Sequence, residues 1–529
     1  MKKSTFWLMQ FLIALVVALV SVAPASARDH GENGNNSVAS RLLPPDVQER
    51  VHKTGNVHFM VTNYGTFGNQ ADASIIDPET GAPGPSCQFP AASGIEYLYQ
   101  GALWIGAIVD GDTLVSSGQD GWMRVSEMFP DGGQTSQIIK RSNIPSSPFY
   151  DINAVSEADF ISTYFDTLTD RAYVEGDFYD NRPHRPLGLK IVQESYSWSS
   201  SGLDNFVIVK ERLVNFGTHN LNDVCVGLYF DGDVGHFSSN NYFYDDITGS
   251  TIVPADATGY ETLAAWIADA DGDPTTGGFD YRSPKAAFGV AVLQQPMQAG
   301  ISYNWWTSNG EAFWDWGPML SGDAWPFFTG GSGTPSGDRN KYYLMTRPCR
   351  DFDQLWTAVD MTSLGWKPRH PDPSYAVDLS NGTDAKFLLS FKLGELAPGD
   401  STEFVFVVAM GDNFHKNPQD FVNLFSAQNP MVFADALDHS NLIQTIQRAR
   451  LQYRLATTGL LGDANSDLRI NISDAVFLIQ YLFSNGVAPE KPNLADVNAD
   501  CEVSLPDAVY VVNFIFGGGP YPLEGCAAK

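Results

Sequence analysis

Two stretches near the C-terminal end of the chain place oxygen-bearing side chains at regular intervals. GDANSDLRINISDAVF begins at Gly462 and ADVNADCEVSLPDAVY begins at Ala495. Each carries Asp, Asn and Asp at alternate positions and a further Asp where an apolar run begins. A hard cation such as Ca²⁺ needs several oxygen ligands, which a tight loop supplies from alternate side chains and one backbone carbonyl. The spacing therefore predicts two calcium loops, holding about two Ca²⁺ ions.

The candidate ligands stand at positions 1, 3, 5, 7, 9 and 12 of each loop. In the first loop they are Asp463, Asn465, Asp467, Arg469, Asn471 and Asp474, and in the second they are Asp496, Asn498, Asp500, Glu502, Ser504 and Asp507. Arg469 and Glu502 occupy position 7, where we expect the backbone carbonyl to be the ligand.

An apolar run at helical spacing follows each loop. DAVFLIQYLF starts at Asp474 and DAVYVVNFIF starts at Asp507, and their periodicity predicts one amphipathic helix after each loop. Ile470 and Val503, at position 8, are placed to pair the loops back to back. Because neither loop–helix unit can bury its apolar face alone, we expect the two units to share one small core.

These tandem loops, each followed by a helix, resemble a type I dockerin over residues 462–526. The resemblance implies a small all-α module that folds around calcium and docks onto a cohesin-like protein or a cell-surface scaffold.

The two loops depart from the usual dockerin pattern in two respects. Position 6, usually Gly in such loops, is Leu468 or Cys501, which would be strained at positive φ. Positions 10 and 11, often a Ser-Thr pair that contacts the cohesin in cellulosomal dockerins, begin with Ile472 or Leu505, which implies an unusual cohesin or another surface partner.

Two further acidic stretches lie in the larger part of the chain. DADGDPTTGGFD has the aspartate spacing of a calcium loop, but a strand pattern follows it, so it predicts either one more calcium ion or an ordinary acidic turn. DGDVGHFSSNNYFYDD could bind a metal, supply the acid and nucleophile of a glycosidase, or only form a loop. The residues are Asp269, Asp271, Asp273 and Asp280 in the first stretch, and Asp231, Asp233, Asp245 and Asp246 around His236 in the second.

Aromatic residues are concentrated in YNWWTSNGEAFWDW, where Tyr303 and Trp305, and likewise Trp314 and Trp316, are two residues apart. On a strand each pair would share one face. If exposed, such faces could stack on sugar rings, and if buried, they belong to a core. The sequence contains no G-x-S-x-G elbow, no H-E-x-x-H, no phosphate-binding Gly-Lys loop and no C-x-x-C, which excludes several enzyme classes.

Period-two alternation dominates residues 46–455 and predicts a mostly β fold, one large β-sandwich or two fused sandwiches. Asp110-Gly111 is a hairpin turn signal, and Pro398-Gly399-Asp400 predicts a second hairpin between two alternating runs. From Pro418 the pattern becomes helical, with Leu442, Ile446, Ala449 and Tyr453 near one face. Residues 456–461 read as a linker before the dockerin-like module.

The N-terminal residues predict a secretory signal peptide over 1–27, with Lys2-Lys3, an apolar run and Ala25 and Ala27 before the cleavage point, followed by a flexible leader over 28–45. No later stretch is apolar enough to cross a bilayer.

The net charge of −29 argues against nucleic-acid binding. Cys501 and Cys526, at opposite ends of the second repeat, are a candidate disulfide.

Three functions fit these features. The preferred interpretation is a secreted or cell-surface, non-catalytic β-sandwich protein that its dockerin-like module tethers to a partner, with carbohydrate as a candidate ligand. The first alternative is a dockerin-bearing glycoside hydrolase or other polysaccharide-degrading enzyme, since dockerins are often appended to such enzymes. The second is a structural component of a cell-surface layer or filament.

Overall fold

The computed structural model describes residues 46–68, 81, 84–121, 126–131, 136–177, 181–239, 242–255, 261–272, 278–296, 300–308, 316–317, 334–335, 337–359, 372–457, 459–467, 469–523 and 525–527. The predicted signal peptide and leader lie outside these residues.

Most of the described chain forms β-strands. They are β1 (Glu49–His52), β2 (His58–Thr62), β3 (Thr66–Phe67), β4 (Cys87–Gln88), β5 (Ile95–Glu96), β6 (Gln100–Val109), β7 (Asp112–Ser117), β8 (Ile139–Arg141), β9 (Ala158–Phe165), β10 (Leu189–Ser197), β11 (Phe206–Asn215), β12 (Leu221–Asp231), β13 (Gly235–His236), β14 (Asp246–Val253), β15 (Thr262–Asp269), β16 (Ala287–Gln294), β17 (Ser302–Thr307), β18 (Ala385–Leu396) and β19 (Ser401–Gly411).

The strands form two antiparallel sheets. Within the described residues, the first sheet has 11 strands, in the order β13-β5-β4-β2-β3-β6-β12-β18-β17 with β1 beside β2 and β7 beside β6. The second sheet has 8 strands, in the order β14-β15-β16-β19-β11-β10-β9-β8.

Helices are fewer and lie mainly toward the C-terminus. They are α1 (Gly337–Thr346), α2 (Pro373–Asn381), α3 (Asp420–Leu424), α4 (Met431–Ala434), α5 (Ser440–Thr457), α6 (Ile472–Ser484), α7 (Pro492–Ala495) and α8 (Leu505–Gly517), with a short 3-10 helix at Gln354–Trp356. None of the helices in the described part of the chain combines the length and apolarity needed to span a bilayer.

The two sheets pack face to face as one β-sandwich. Alternate residues of β6 and β11, such as Ile105 and Val209, are fully buried in the core that both sheets share. Because successive side chains point to opposite faces, the residues between them form separate clusters on the outer faces, as Trp104 and Ile208 do. The prediction of a mostly β, sandwich-type fold is therefore confirmed, and the strands form one sandwich.

Helices cover both outer faces. The helix α5 lies over the 8-stranded sheet and buries Leu442, Ile446, Ala449 and Tyr453, the face that the sequence predicts. On the other side, α1 packs Leu344 and Met345 against the aromatic outer face of the 11-stranded sheet. Burial on both faces explains why many strands read as continuous apolar runs.

One of the two predicted hairpins is wrong. β6 and β7 do form a hairpin, with Asp110 and Gly111 at φ 53° and 88°, as a tight turn between twisted strands requires. β18 and β19 do not pair with each other. The turn is present, with the Asp400 N–H donating to the Ala397 carbonyl at 3.0 Å, but β18 pairs with β12 and β17 while β19 pairs with β11 and β16. Each of these strands therefore lies between two neighbours in its own sheet, and most of its residues are buried on both faces.

At the C-terminus, α6 and α8 pack together through a reciprocal core. Ile470 of the first loop packs against a cluster of Ala475, Val497 and Val511. Val503 of the second loop packs against a cluster of Ala464, Leu478, Ala495 and Ala508. Each cluster contains residues of both repeats, which is the shared core predicted from the two apolar runs.

A buried ion pair links the segment before β10 to the segment after β7. The His184 Nδ1 lies 3.1 Å from Glu127 Oε1, and its Nε2 donates to the Asp166 carbonyl at 3.1 Å. Burial alone would lower the pKa of His184. The attraction of the Glu127 carboxylate for the imidazolium is stronger than this effect, and the pKa of His184 is raised to about 9. Burial likewise opposes ionisation of Glu127, yet His184 holds the pKa of that carboxyl well below its usual range.

This pair makes the stability of the chain depend on pH. His184 contributes its full stabilisation below its unfolded-state pKa of about 6.5 and loses it as the pH rises through about 9. We therefore expect the melting temperature to fall between pH 7 and pH 10 more in the wild type than in His184→Gln, as measured by circular dichroism. The control is His219→Gln, because His219 is an exposed surface residue. Equal pH profiles for the wild type and His184→Gln would contradict the assignment.

Candidate calcium centres

The first predicted loop is closed by its own carboxylates. Asp463 Oδ1 accepts the Asp467 N–H at 2.9 Å, and Asp467 Oδ1 accepts the Arg469 N–H at 3.0 Å. Asp474, at position 12, reaches back to accept the N–H groups of Asn465 and Asn471 at 3.3 and 2.8 Å. These bonds hold the side-chain oxygens on the inner side of the turn.

The second loop repeats this arrangement residue by residue. Asp496 accepts from Asp500 at 3.2 Å, and Asp500 accepts from Glu502 at 3.0 Å. Asp507 accepts from Asn498 and Ser504 at 3.3 and 2.8 Å. Both position-12 aspartates also complete a capping box at the start of the following helix, so one carboxylate begins the helix and faces the loop centre.

Three carboxylates converge in each loop. Oxygens of Asp463, Asp467 and Asp474 lie within 4.8 Å of one another, and so do their counterparts in the second loop. Burial, followed by the charges of Asp463 and Asp467, raises the pKa of Asp474, and burial together with Asp496 raises that of Asp507. An oxygen set of this geometry fits a hard divalent cation such as Ca²⁺.

The second loop has an additional clamp. Cys501, at position 6, has φ 69°, the positive value that the sequence marks as strained, and it forms a disulfide bond with Cys526. The bond brings the C-terminal tail to Asp496, whose Oδ2 accepts the N–H groups of Cys501, Cys526 and Ala527 at 2.9 to 3.0 Å. Asp496 is thereby fixed with Oδ1 turned toward the loop. Leu468, at position 6 of the first loop, lies outside the described residues.

The helices expose two matching apolar rows. We name the row on α6 the first stripe and the row on α8 the second stripe, and each residue of one has a counterpart at the same position of the other repeat. The first stripe is Ile472, Val476, Ile479 and Phe483, and the second is Leu505, Val509, Val512 and Phe516, all exposed large hydrophobic residues. These rows are not evident from the sequence, because the apolar periodicity of both helices is equally well explained by packing in a core.

The acidic stretch at Asp269 is not arranged like the C-terminal loops. Asp269 Oδ1 accepts the N–H groups of Asp271 and Gly272, but Asp280 pairs with Arg282 at 2.6 Å. Asp269, Asp271 and Asp280 are not among the groups of three that converge within 4.8 Å in the described residues. Asp273 lies outside those residues, so the predicted calcium loop here stays a prediction.

The other acidic stretch is partly brought together. Asp231 and Asp233 converge with Asp384, and Lys386 Nζ lies 3.3 Å from Asp231 and 2.8 Å from Asp384. Asp384 and Lys386 were missed because no sequence signal links them to residues so distant in the chain. His236 instead bonds to the Ser238 hydroxyl at 2.7 Å. Asp231 and Asp233 are 1% and 3% exposed, which leaves a sugar ring no access to them as a glycosidase pair.

The predicted aromatic row is buried. Tyr303 and Trp305 are 0% exposed and belong to the sandwich core, the alternative that the sequence leaves open, so they offer no face for glycan contact. Trp316 packs against Tyr375 and Leu379. Trp314 lies outside the described residues.

Comparison with known proteins identifies the C-terminal segment. Residues 461–516 match the model of the dockerin type I domain, which confirms the resemblance seen in the sequence, and dockerin domains bind Ca²⁺ and cohesins. No curated protein matches the chain significantly.

Among solved structures, the chain matches a polysaccharide lyase with 10% identity and a TM-score of 0.19, covering 70% of this chain and 33% of that one. It also matches the lysyl oxidase of Pichia pastoris with 9% identity and a TM-score of 0.19, covering 71% of this chain and 52% of that one. The chain thus spans about a third of the first structure and about half of the second.

The disulfide bond predicts that its removal weakens Ca²⁺ binding in the second loop and not in the first. In Cys526→Ser the tail no longer positions Asp496, and loss of such supporting contacts typically lowers metal affinity by about 10- to 100-fold. We expect calorimetric titration with Ca²⁺ to show this weakening in the second loop alone. Reduction of the wild type should reproduce the effect, while Cys349→Ser, which changes a cysteine outside the dockerin segment, should not. An unchanged titration in Cys526→Ser would contradict the clamp.

Proposed function

We propose that this protein is a secreted, non-catalytic β-sandwich protein that its C-terminal dockerin attaches, in a calcium-dependent manner, to a cohesin-type or other surface partner. The match of residues 461–516 to the dockerin type I domain supports attachment to a cohesin. The predicted signal peptide supports export. Burial of Asp231 and Asp233 supports the non-catalytic assignment, because a sugar ring cannot reach these two candidate glycosidase residues.

Calcium dependence follows from the charges in the loops. Each loop brings oxygens of three carboxylates within 4.8 Å of one another. These carboxylates repel one another until a cation neutralises their charge. Asp474 and Asp507 also cap α6 and α8. Ion binding therefore fixes the first turn of each helix, and the helices in turn carry the stripes. We propose one ion per loop.

The single observation that carries the docking proposal is the pair of exposed stripes. A small domain rarely exposes contiguous apolar rows unless another molecule covers them. Phe483 and Phe516 are 66% and 71% exposed, and large aromatic residues of this kind anchor protein–protein interfaces. Ile472 and Leu505 begin the stripes at the position where the sequence departs from cellulosomal dockerins, so the partner should present an apolar surface there.

The stripes predict redundancy between two docking faces. Because the repeats are equivalent, Phe483→Ala or Phe516→Ala alone should leave one intact face, while the double variant should lose at least about tenfold in affinity. The measurement is calorimetric titration of the chain against a panel of type I cohesins with calcium present.

The matched control is Val422→Ala, which removes a 65% exposed apolar residue of α3 outside the dockerin. Wild-type affinity in the double variant would show that the stripes do not dock. Failure of the wild type to bind any cohesin of the panel would remove the cohesin from the proposal.

The calcium assignment has its own test. Asp474→Ala and Asp507→Ala should each lower the number of bound Ca²⁺ ions by one relative to the wild type, because each removes the carboxylate that closes its loop. The number is measured by equilibrium dialysis of the metal-free chain. Ser473→Ala, an exposed neighbour of Asp474, should keep every ion. An unchanged count in both aspartate variants would mean that the loops are not the calcium sites.

A further inference from the structure

A lysine is buried between α1 and the outer face of the 11-stranded sheet. Lys341 is 4% exposed, and its Nζ lies 2.5 Å from Asp120 Oδ2. Nζ also donates to the Ser117 hydroxyl at 3.4 Å and lies 5.7 Å from the centre of the Trp104 ring. Lysine is rarely buried to this extent unless it is paired. An amine and a carboxylate are therefore held in contact where little water reaches them.

Hydrogen bonds fix the chain on both sides of Asp120. The indole N–H of Trp104 donates to the Gln119 carbonyl at 2.6 Å. The Gly121 carbonyl accepts from the side-chain amides of Gln100 and Gln119 at 3.1 and 2.9 Å. Trp104 and Gln100 both belong to β6, so the sheet itself holds the backbone of Asp120 beside Lys341.

The pair is close to the geometry of a reaction. Because a carboxyl C–O bond is about 1.2 Å long, the contact of 2.5 Å places Nζ at most about 3.7 Å from the carboxyl carbon of Asp120. Bond formation starts from separations of about 3–3.5 Å. A small rotation of either side chain therefore brings the nitrogen to attacking distance.

A second carboxylate is connected to the same nitrogen through Ser117. Ser117 Oγ donates to Glu127 Oε2 at 2.9 Å, and the Ser117 N–H donates to the same oxygen at 2.8 Å. The other oxygen of Glu127, Oε1, lies 3.1 Å from His184 Nδ1. These contacts form a continuous route for a proton from Lys341 through the Ser117 hydroxyl to Glu127.

We propose that Lys341 and Asp120 condense within the folded chain into an amide bond that joins α1 covalently to the segment after β7. One proton moves from the ammonium of Lys341 to Asp120 Oδ2, which leaves an amine beside a carboxylic acid. The Nζ–Cγ bond then forms, and a second proton leaves the nitrogen through Ser117 to Glu127. The Cγ–Oδ2 bond breaks, and this oxygen departs as water with both protons. The amide keeps one N–H, and Glu127 is again a carboxylate.

The buried setting favours this reaction. Burial alone would lower the pKa of Lys341, but the charges of Asp120 and Glu127 raise it, so the pair starts as ions. Keeping an ion pair away from water is costly, and the amide replaces both charges with a neutral group. Well-oriented groups of one molecule react as if at concentrations of about 10⁵–10⁸ M. The fold thus supplies an advantage that an amine and a carboxylic acid lack in free solution.

The amide bond cross-links parts of the chain that are distant in sequence. A cross-link of this kind restricts the unfolded chain and so stabilises the folded one. It acts on the β-sandwich and does not depend on the dockerin loops or on their partner.

The test is mass spectrometry of the full chain after reduction and denaturation. The wild type should be lighter than the linear chain by the mass of one water molecule. After digestion, tandem mass spectrometry should identify a branched peptide in which the Lys341 side chain is joined to that of Asp120. A wild type with the full linear mass overturns the inference, and so does a water loss that maps to other residues.

Lys341→Arg and Asp120→Ala should each keep the full linear mass, because each removes one of the two reacting groups. The matched control is Lys210→Arg, which changes a more exposed lysine that pairs with Glu403 at 3.0 Å and should retain the water loss. Ser117→Ala should leave part of the chain without the cross-link, because it interrupts the proton route, and complete cross-linking in this variant overturns that route. The wild-type measurement decides the inference even if a variant does not fold.

Discussion

The central physical constraint in this chain is the repulsion between carboxylates held close together. Each C-terminal loop brings oxygens of three acidic side chains within 4.8 Å of one another, an arrangement that is costly unless a cation or protonation reduces the negative charge. The backbone is organised around this demand, since N–H groups of each loop donate to the carboxylate of Asp474 or Asp507 and hold it in place. Asp474 and Asp507 each close a loop and also cap the helix that follows. Holding these carboxylates in the loop therefore also fixes the start of each helix.

Helix formation in turn makes the reciprocal core possible. Ile470 and Val503 each pack against a cluster that contains residues of both repeats, so opening either loop also disturbs the other repeat. This shared packing uses one side of each helix. The other sides are equivalent by the same internal symmetry, and they carry the stripes ending at Phe483 and Phe516. Calcium binding, the shared core and the proposed docking surface thus depend on one another.

The sequence predicts local features well and long-range ones poorly. Alternation with Gly and Asp turn signals gives the strands and the β6–β7 hairpin, and the oxygen spacing gives both loops, because these signals lie within a few residues. It fails at β18 and β19, where a good turn joins strands of different sheets. Local chemistry at Asp400 specifies a reversal of direction but not which strand becomes the neighbour. The same limit hides Asp384 and Lys386, which reach Asp231 only through the pairing of β12 with β18.

This difference in locality has a consequence for folding. The dockerin loops use consecutive residues, so calcium can organise each of them before any tertiary contact forms. Asp231, Asp384 and Lys386 come together only after β12 pairs with β18, and loop closure over such separations is slow. We therefore expect the calcium loops to form through local contacts and the β-sandwich to depend on pairing between distant strands.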